Sequence, residues 1–425
     1  METGAIVENY DKISRRNFLK TLGATGLGAS FISDKVLAEP NEPNIPPKTQ
    51  EPKYPQMPRR KLGKTGVEVP CLSFGLMFDI SDKQILLRNA LKYGINYWDT
   101  AHVYANGNSE LGVGKYLSTH PSIRKRLFIV TKATGATTAE DMGKRLQTSL
   151  ERMKTKYIDL YYFHGLEDPS QLTSEIQQWA KDAKGRKLIR FFGFSTHKNM
   201  AQCLAAAAKL DWIDVIMTSY NFRLMQDTAL QAAIDDCNKA GIGLVAMKLL
   251  AKGSVAAWAG QATNIVTDED KKIVSHFLEK GFTEEQAKIK VVLADERFSS
   301  ACVTMQNVAL LTTNVAAALD KTKLTQTDIT LFQKYAQATC SGYCAGCANI
   351  CDSALPDTPY ISDIMRGLMY YNSYGEKDMA RELFAQIPPD IKSRLLKTDY
   401  SLAETHCPQR LPISRLVAEA VRKLA

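Results

Sequence analysis

Between about Arg60 and Asp320 the chain alternates two hydrophobic rhythms. Short β-rich runs, "CLSFGLM", "INYWDT", "LFIVTKA", "IDLYYFHG", "IRFFGFST", "VIMTSYN", "GIGLVAMK" and "SSACVTM", predict eight strands. Between them, stretches such as "DKQILLRNALKYG", "AEDMGKRLQTSLERMK" and "TALQAAIDDCNKAG" space their apolar residues as amphipathic helices do. Eight strands, each followed by a helix over about 250 residues, are what a (β/α)8 barrel requires. The alternative, an open doubly wound sheet, normally shows a Gly-rich phosphate turn after its first strand, and no such turn is present. The expected fold is therefore α/β: a (β/α)8 TIM barrel over residues 59–322, followed by a small α-helical, Cys-rich C-terminal domain over residues 323–425.

The flanks read differently. "SRRNFLK" (Ser14 to Lys20), the weakly apolar "TLGATGLGASFIS" and the small residues ending at Ala38 form an export signal over residues 1–38, and the paired Arg15 and Arg16 match the twin-arginine consensus. A Pro-rich polar linker follows over residues 39–58. The expected location is outside the cytoplasm, in the periplasm after cleavage or tethered to the membrane without it. The twin-arginine export machinery, which moves folded proteins, is then a partner. The helical, aromatic-rich stretch "YISDIMRGLMYYNSYGEKDMARELFAQIP" reads as packing the extension onto the barrel.

Composition narrows the function classes. The net charge of +9 is spread along the chain with only short basic runs such as Arg124-Lys125-Arg126, which argues against a nucleic-acid groove. No internal repeat and no apolar run long enough to span a bilayer as a mature helix are found.

In a (β/α)8 barrel the chemistry sits at the C-terminal ends of the strands. The second predicted strand runs into Asp99 and Tyr104, the third ends at Lys132, and the fourth at His164. Each alone has a bland reading as packing, a cap or a satisfied polar group. At successive strand ends they make a proton-transfer constellation. A ketone becoming an alcohol needs a hydride on carbon and a proton on oxygen. Tyr104 is a weak acid at its ordinary pKa of about 10. A neighbouring Lys132 cation is expected to lower that pKa, with Asp99 holding the ammonium. His164 is expected to hydrogen-bond the substrate oxygen or relay the proton.

The stretches "RKLGKTGVEVPCLSFG", "GINYWDTAHVYANGNSELGVGKYL", "SLERMKTKYIDLYYFHG", "IRFFGFSTH" and "LADERFSSACVTM" resemble the aldo-keto reductase family. By position, Asp99, Tyr104, Lys132 and His164 match its catalytic tetrad. The resemblance implies a nicotinamide dinucleotide, NAD(P), lying across the rim and a small carbonyl or alcohol substrate, possibly sugar-like. It implies cofactor contacts at Ser195 and Thr196 near the carboxamide, at Lys248, Leu249 and Gly253 along the diphosphate, and at Asn314 near the adenine. Tyr220 and Asn221 match the family's Tyr-Asn pair. The departures are Met217 where a Gln is usual, Met247 where an aromatic ring often stacks on the nicotinamide, and "TMQNVALLTTN" without the basic residue that commonly meets a 2′-phosphate. NAD and NADP therefore both stay open. Free NAD(P)H is not expected outside the cytoplasm, so an exported enzyme of this kind would carry its nucleotide tightly held.

"CSGYCAGCANIC" concentrates Cys340, Cys344, Cys347 and Cys351 in twelve residues. Close-set thiolates on glycine-bearing loops suit a [4Fe–4S] cluster; zinc and local disulfides are the competing readings. "HCPQRLPI" adds Cys407 with the Cys-Pro that closes a bacterial ferredoxin motif. The pair resembles the C-terminal extension of iron–sulfur aldo-keto reductases. Ferredoxin logic favours Cys340, Cys344, Cys347 and Cys407, and the local alternative replaces Cys407 by Cys351. Cys340-x3-Cys344-x2-Cys347 also has radical S-adenosylmethionine spacing, discounted because it follows a complete barrel. Cys71, Cys203, Cys237 and Cys302 read as core residues. Besides a reductase, two other functions fit the sequence: an electron-transfer iron–sulfur protein docking through a barrel, and a non-catalytic binding barrel. No redox partner is named by any motif.

Overall fold

The computed structural model describes residues 54–251 and 268–425. The expected signal and most of the linker, and Gly253, lie outside these. A hairpin of β1 (Arg59–Lys61) and β2 (Glu68–Pro70) precedes eight strands: β3 (Leu72–Gly75), β4 (Tyr97–Asp99), β5 (Phe128–Ala133), β6 (Ile158–His164), β7 (Ile189–Thr196), β8 (Val215–Ser219), β9 (Gly243–Met247) and β10 (Ser300–Thr304). They close into a parallel barrel in chain order, with β10 pairing both β3 and β9. Each falls within one of the eight predicted runs.

Side chains alternate along a strand, so each run divides between two cores. Tyr97, Phe128, Val130, Leu160, Tyr162, Val215, Met217 and Val245 fill the lumen together with Leu62 and Val69 of the hairpin region. Trp98, Ile129, Tyr161, Phe192 and Leu244 pack outward against the helices. The hairpin turn lies tightly against the start of β9: a Cβ on Gly63, at φ +51°, would sit 2.3 Å from the Gly243 amide nitrogen. Glycine is required there.

Parity then fixes which residues reach the rim. Asp99 shares the lumen face of β4 with Tyr97, Lys132 that of β5 with Val130, and His164 that of β6 with Tyr162. Beyond the barrel, a helix at Gln326–Ala338 leads into further helices at Ala348–Ala354, Ile361–Met369, Lys377–Ala385, Ser401–His406 and Ile413–Leu424. Ile364, Leu368, Phe384, Leu416 and Val417 give this extension its own apolar core. Among the described residues no helix is long and apolar enough to cross a membrane.

Candidate active site

Lys132 is 1% exposed, and its Nζ lies 2.5 Å from Asp99 Oδ1 and 2.7 Å from the Thr100 carbonyl. Burial opposes its charge, but Asp99 and Tyr104 outweigh burial and hold the ammonium above its ordinary range. The same Nζ is 4.8 Å from the Tyr104 ring centroid. His164 meets that ring edge-on at 5.9 Å, and its Nδ1 is 2.5 Å from the Thr134 hydroxyl. Burial, with Lys132 and Arg366 nearby, keeps the imidazole well below its usual pKa and hence neutral.

The turn that carries Tyr104 is held from below. Arg152 donates to the His102 carbonyl at 2.7 Å and to Glu110 at 3.1 Å, and Glu110 also accepts from Thr131 at 2.6 Å. Ala105 and Asn106 adopt left-handed φ of 49° and 54° directly after the tyrosine, a strain of the kind stored at functional sites. One expectation is corrected. Burial pushes the Tyr104 phenol up to about 12, and the Lys132 cation only partly offsets it. Lys132 therefore acts against a desolvation penalty larger than its own attraction.

The residues expected at the dinucleotide divide into two groups. Ser195 is at the end of β7, its hydroxyl accepting from the Gly165 amide at 3.1 Å, and the Thr196 hydroxyl donates to the Lys198 carbonyl at 2.8 Å. Met247 and Lys248 are half-buried at the end of β9. Asn221 is buried and donates to the Lys248 carbonyl at 3.2 Å and to the Tyr343 hydroxyl at 3.0 Å. The others turn inward. The Tyr220 ring stacks on Phe298 and its hydroxyl donates to Asp295 at 2.6 Å. Leu249 is core, and Asn314 is buried on the helix Val308–Leu319.

A pocket opens at the seam, walled by His197, Ser219 and Lys248 on the barrel side and by Tyr343, Asp363, Arg366 and Tyr374 on the extension side. These hydrogen-bond donors and cations fit a phosphate-bearing ligand. The extension is docked here. A Cβ on Gly346, at φ +78°, would lie 2.2 Å from the His197 carbonyl oxygen. The Asn199 amide donates to the Gly346 carbonyl at 2.8 Å, and Lys198 joins Glu167 at 3.1 Å to Asp363 at 2.9 Å.

A sequence model of the Aldo/keto reductase family matches residues 73–336. The chain belongs to that family. It is 27% identical to L-galactose dehydrogenase of Arabidopsis thaliana over 282 residues, which cover 61% of this chain and 88% of that protein. It is 26% identical to the aldo-keto reductase AFTS1 of Alternaria alternata over 249 residues, 48% of this chain and 68% of that one. Among solved structures, the holo form of the aldo-keto reductase AKR11C1 from Bacillus halodurans superposes with a TM-score of 0.54 at 22% identity, over 66% of this chain and 96% of that chain. The thermostable aldo-keto reductase Tm1743 with the inhibitor epalrestat gives 0.53 at 24%, over 66% and 100%. These two establish the likeness of fold. As an aldo-keto reductase the protein is an NAD(P)-dependent oxidoreductase of carbonyl and alcohol substrates.

Tyr343, Arg366, Tyr370 and Tyr374 reach the reductase rim from the extension; sequence reasoning read the stretch with Arg366, Tyr370 and Tyr374 only as packing and gave Tyr343 no role. The available signal was Arg366, a cation four residues before Tyr370 on a helix whose other face is Ile361, Ile364, Met365 and Leu368.

A second, smaller pocket is lined by Cys344, Cys347, Cys351 and Cys407. Cys340, which the ferredoxin spacing would include, does not line it. Gly346 turns the chain so that Cys347 caps the helix Ala348–Ala354, and Cys351 stands one turn on, on the same face. Cys407 caps the helix Ser401–His406 opposite them. Cys340 belongs to a separate short turn, Cys340–Gly342. Burial pushes Cys344 up to about 12 and Cys347 to about 11. Among the described residues no three His, Cys, Asp or Glu side chains are grouped closely enough to hold one metal ion. By donor type alone, four thiols could hold an iron–sulfur cluster, zinc or two disulfides.

Proposed function

We propose that this aldo-keto reductase is exported by its twin-arginine signal and acts there on a small, sugar-like carbonyl or alcohol, with a [4Fe–4S] cluster in its C-terminal extension. The catalytic part rests on one observation, the Lys132 ammonium set between Asp99 and the Tyr104 ring with His164 alongside. The bound dinucleotide supplies or accepts the hydride. Tyr104 gives its proton to the carbonyl oxygen in reduction and takes it back in oxidation. Lys132, balanced by Asp99, stabilises the phenolate that results. For His164 to present an Nε2 proton to the substrate oxygen, its Nδ1 must accept from the Thr134 hydroxyl 2.5 Å away.

Replacing Tyr104 by Phe is expected to lower nicotinamide-dependent turnover of small aldehydes and ketones about 10²- to 10⁴-fold while nucleotide binding persists. Steady-state assays check this, and equal turnover in the two proteins would remove Tyr104 from the mechanism.

A held nucleotide is part of the same reading. The Tyr343 bond to Asn221 and the Tyr370 contact with Lys248 support a dinucleotide roofed by the extension. Exchange with added labelled nucleotide on every turnover would sink it. The cluster is assigned to Cys344, Cys347, Cys351 and Cys407, supported by their common cavity. It would be seated in the cytoplasm and carried out in the folded chain.

One observation favours a second reading. Cys344 and Met365 line both cavities, which suits electron transfer between a cluster and the rim. A cluster passes single electrons and a nicotinamide passes hydride, so this reading requires a one-electron partner. Potentiometric titration separates the two: a cluster silent across the physiological range is structural.

A further inference from the structure

We propose that Lys248, just after β9, and Arg366, on the extension helix Ile361–Met369, form one oxyanion-binding site across the seam between barrel and extension. The ligand group is either the diphosphate of the dinucleotide or the carboxylate of an acidic substrate. Both cations line the rim cavity. Among the described residues neither makes a direct ion pair: Asp363, which lines the same cavity, and Glu167 act on Arg366 only at longer range, both being held by Lys198 at 2.9 and 3.1 Å. Arg366 Nε is buried without a hydrogen-bond partner. Tyr370, Asp363 and Glu167 together sustain the Arg366 charge, and two cations that share a single phenolic oxygen leave a place between them for a stronger anion.

The structure already shows what such a group would replace. The Tyr370 hydroxyl, on a residue 3% exposed, is 3.4 Å from Lys248 Nζ and hydrogen-bonded to Arg366. It begins a π-helical turn, Tyr370–Tyr374, a form that recurs at functional sites. Burial works against ionisation, yet Lys248 and then Arg366 draw the phenol down to about 7. The other titratable groups around it are Tyr104 from the turn after β4 and Tyr374 on its own turn, with Asp363 behind Arg366. Lys248 itself takes a left-handed φ of 59°, a conformation a lysine adopts at a cost and one consistent with aiming its side chain at the seam. The pair therefore holds one weakly acidic oxygen and is built to hold a stronger one.

The diphosphate arm rests on the proposed dinucleotide reading; the oxyanion site itself does not. The test is isothermal titration of the full chain with inorganic pyrophosphate, NADH, gluconate and, as neutral control, sorbitol. At least one anion is expected to bind, and Arg366→Met should weaken it about tenfold to a hundredfold. Tyr370→Phe should strengthen the same anion by removing the resident oxygen, a gain that a misfolded variant cannot give. Loss confined to pyrophosphate and NADH assigns the diphosphate, and loss confined to gluconate assigns a carboxylate substrate. Pyrophosphate binding that depends on Arg366, with no NADH binding, keeps the oxyanion site and separates it from the diphosphate of that nucleotide. Binding of no anion, or equal binding by wild type and Arg366→Met, overturns the proposal.

Discussion

Lys132 and Asp99 are 1% and 3% exposed, so neither charge is tolerable without the other. Removing the lysine alone should cost about 3–5 kcal/mol, because the Asp99 carboxylate would remain buried and unpaired. Lys132→Met is therefore expected to be both inactive and destabilised in urea unfolding, whereas Asp99→Asn/Lys132→Met should regain most of the stability and none of the activity. A double variant as unstable as the single one would show that the pair is not coupled. Tyr370 gives a second expectation. Every other described tyrosine with a resolved shift moves upward, as burial dictates, for example Tyr97, Tyr162 and Tyr374. Only Tyr370 moves down, to about 7. Ultraviolet titration of the native protein should then show one tyrosine ionising near neutral pH, and Arg366→Met should move that step to higher pH. Since the folded pKa lies below the unfolded value of about 10, the associated stability is fully present above pH 10 and is lost as pH falls through about 7.

Elements explain which residues the sequence reveals. A strand's period of two is local, so Asp99, Lys132 and His164 could be placed at strand ends from "INYWDT", "LFIVTKA" and "IDLYYFHG" alone. Tyr220 failed by the same logic. Its neighbours read as a rim motif, but the buried ring stacks on Phe298 and its hydroxyl donates to Asp295, 75 residues further on. Arg366 and Tyr370 were hidden for a related reason: their role depends on Lys248, which no local pattern connects to them. The docking of the extension is equally non-local, and it converges on one glycine. Gly346→Ala adds a Cβ 2.2 Å from the His197 carbonyl in a left-handed conformation. A penalty of about 1–3 kcal/mol from the backbone alone is expected. The variant should show earlier thermal unfolding and faster limited proteolysis of the extension. Wild-type behaviour in both measurements would mean that the seam is not held there.

At the scale of the whole molecule the extension is both a second core and one wall of the active site, so its cysteines bear on the barrel's chemistry. Linear spacing offers Cys340 as a cluster ligand because it counts residues and cannot see which way a turn faces. In three dimensions the left-handed turn at Gly346 and the helix cap at Cys347 bring Cys351 to the cavity, the cap at Cys407 closes it, and Cys340 stays behind on its own turn. Iron and acid-labile sulfide, measured on protein purified without oxygen, turn this into a prediction. Wild type and Cys340→Ser should each carry about four irons and four sulfides per chain, whereas Cys351→Ser and Cys407→Ser should lose most of both. Loss in Cys340→Ser with retention in Cys351→Ser would restore the ferredoxin-like set and mean that the turn at Cys340 refolds around the metal. A wild type with no iron and fewer titratable thiols than its nine cysteines would point to disulfides. The extension would then be a covalently stapled roof over the reductase rim, and the anion site at Lys248 and Arg366 would remain its one direct contribution to function.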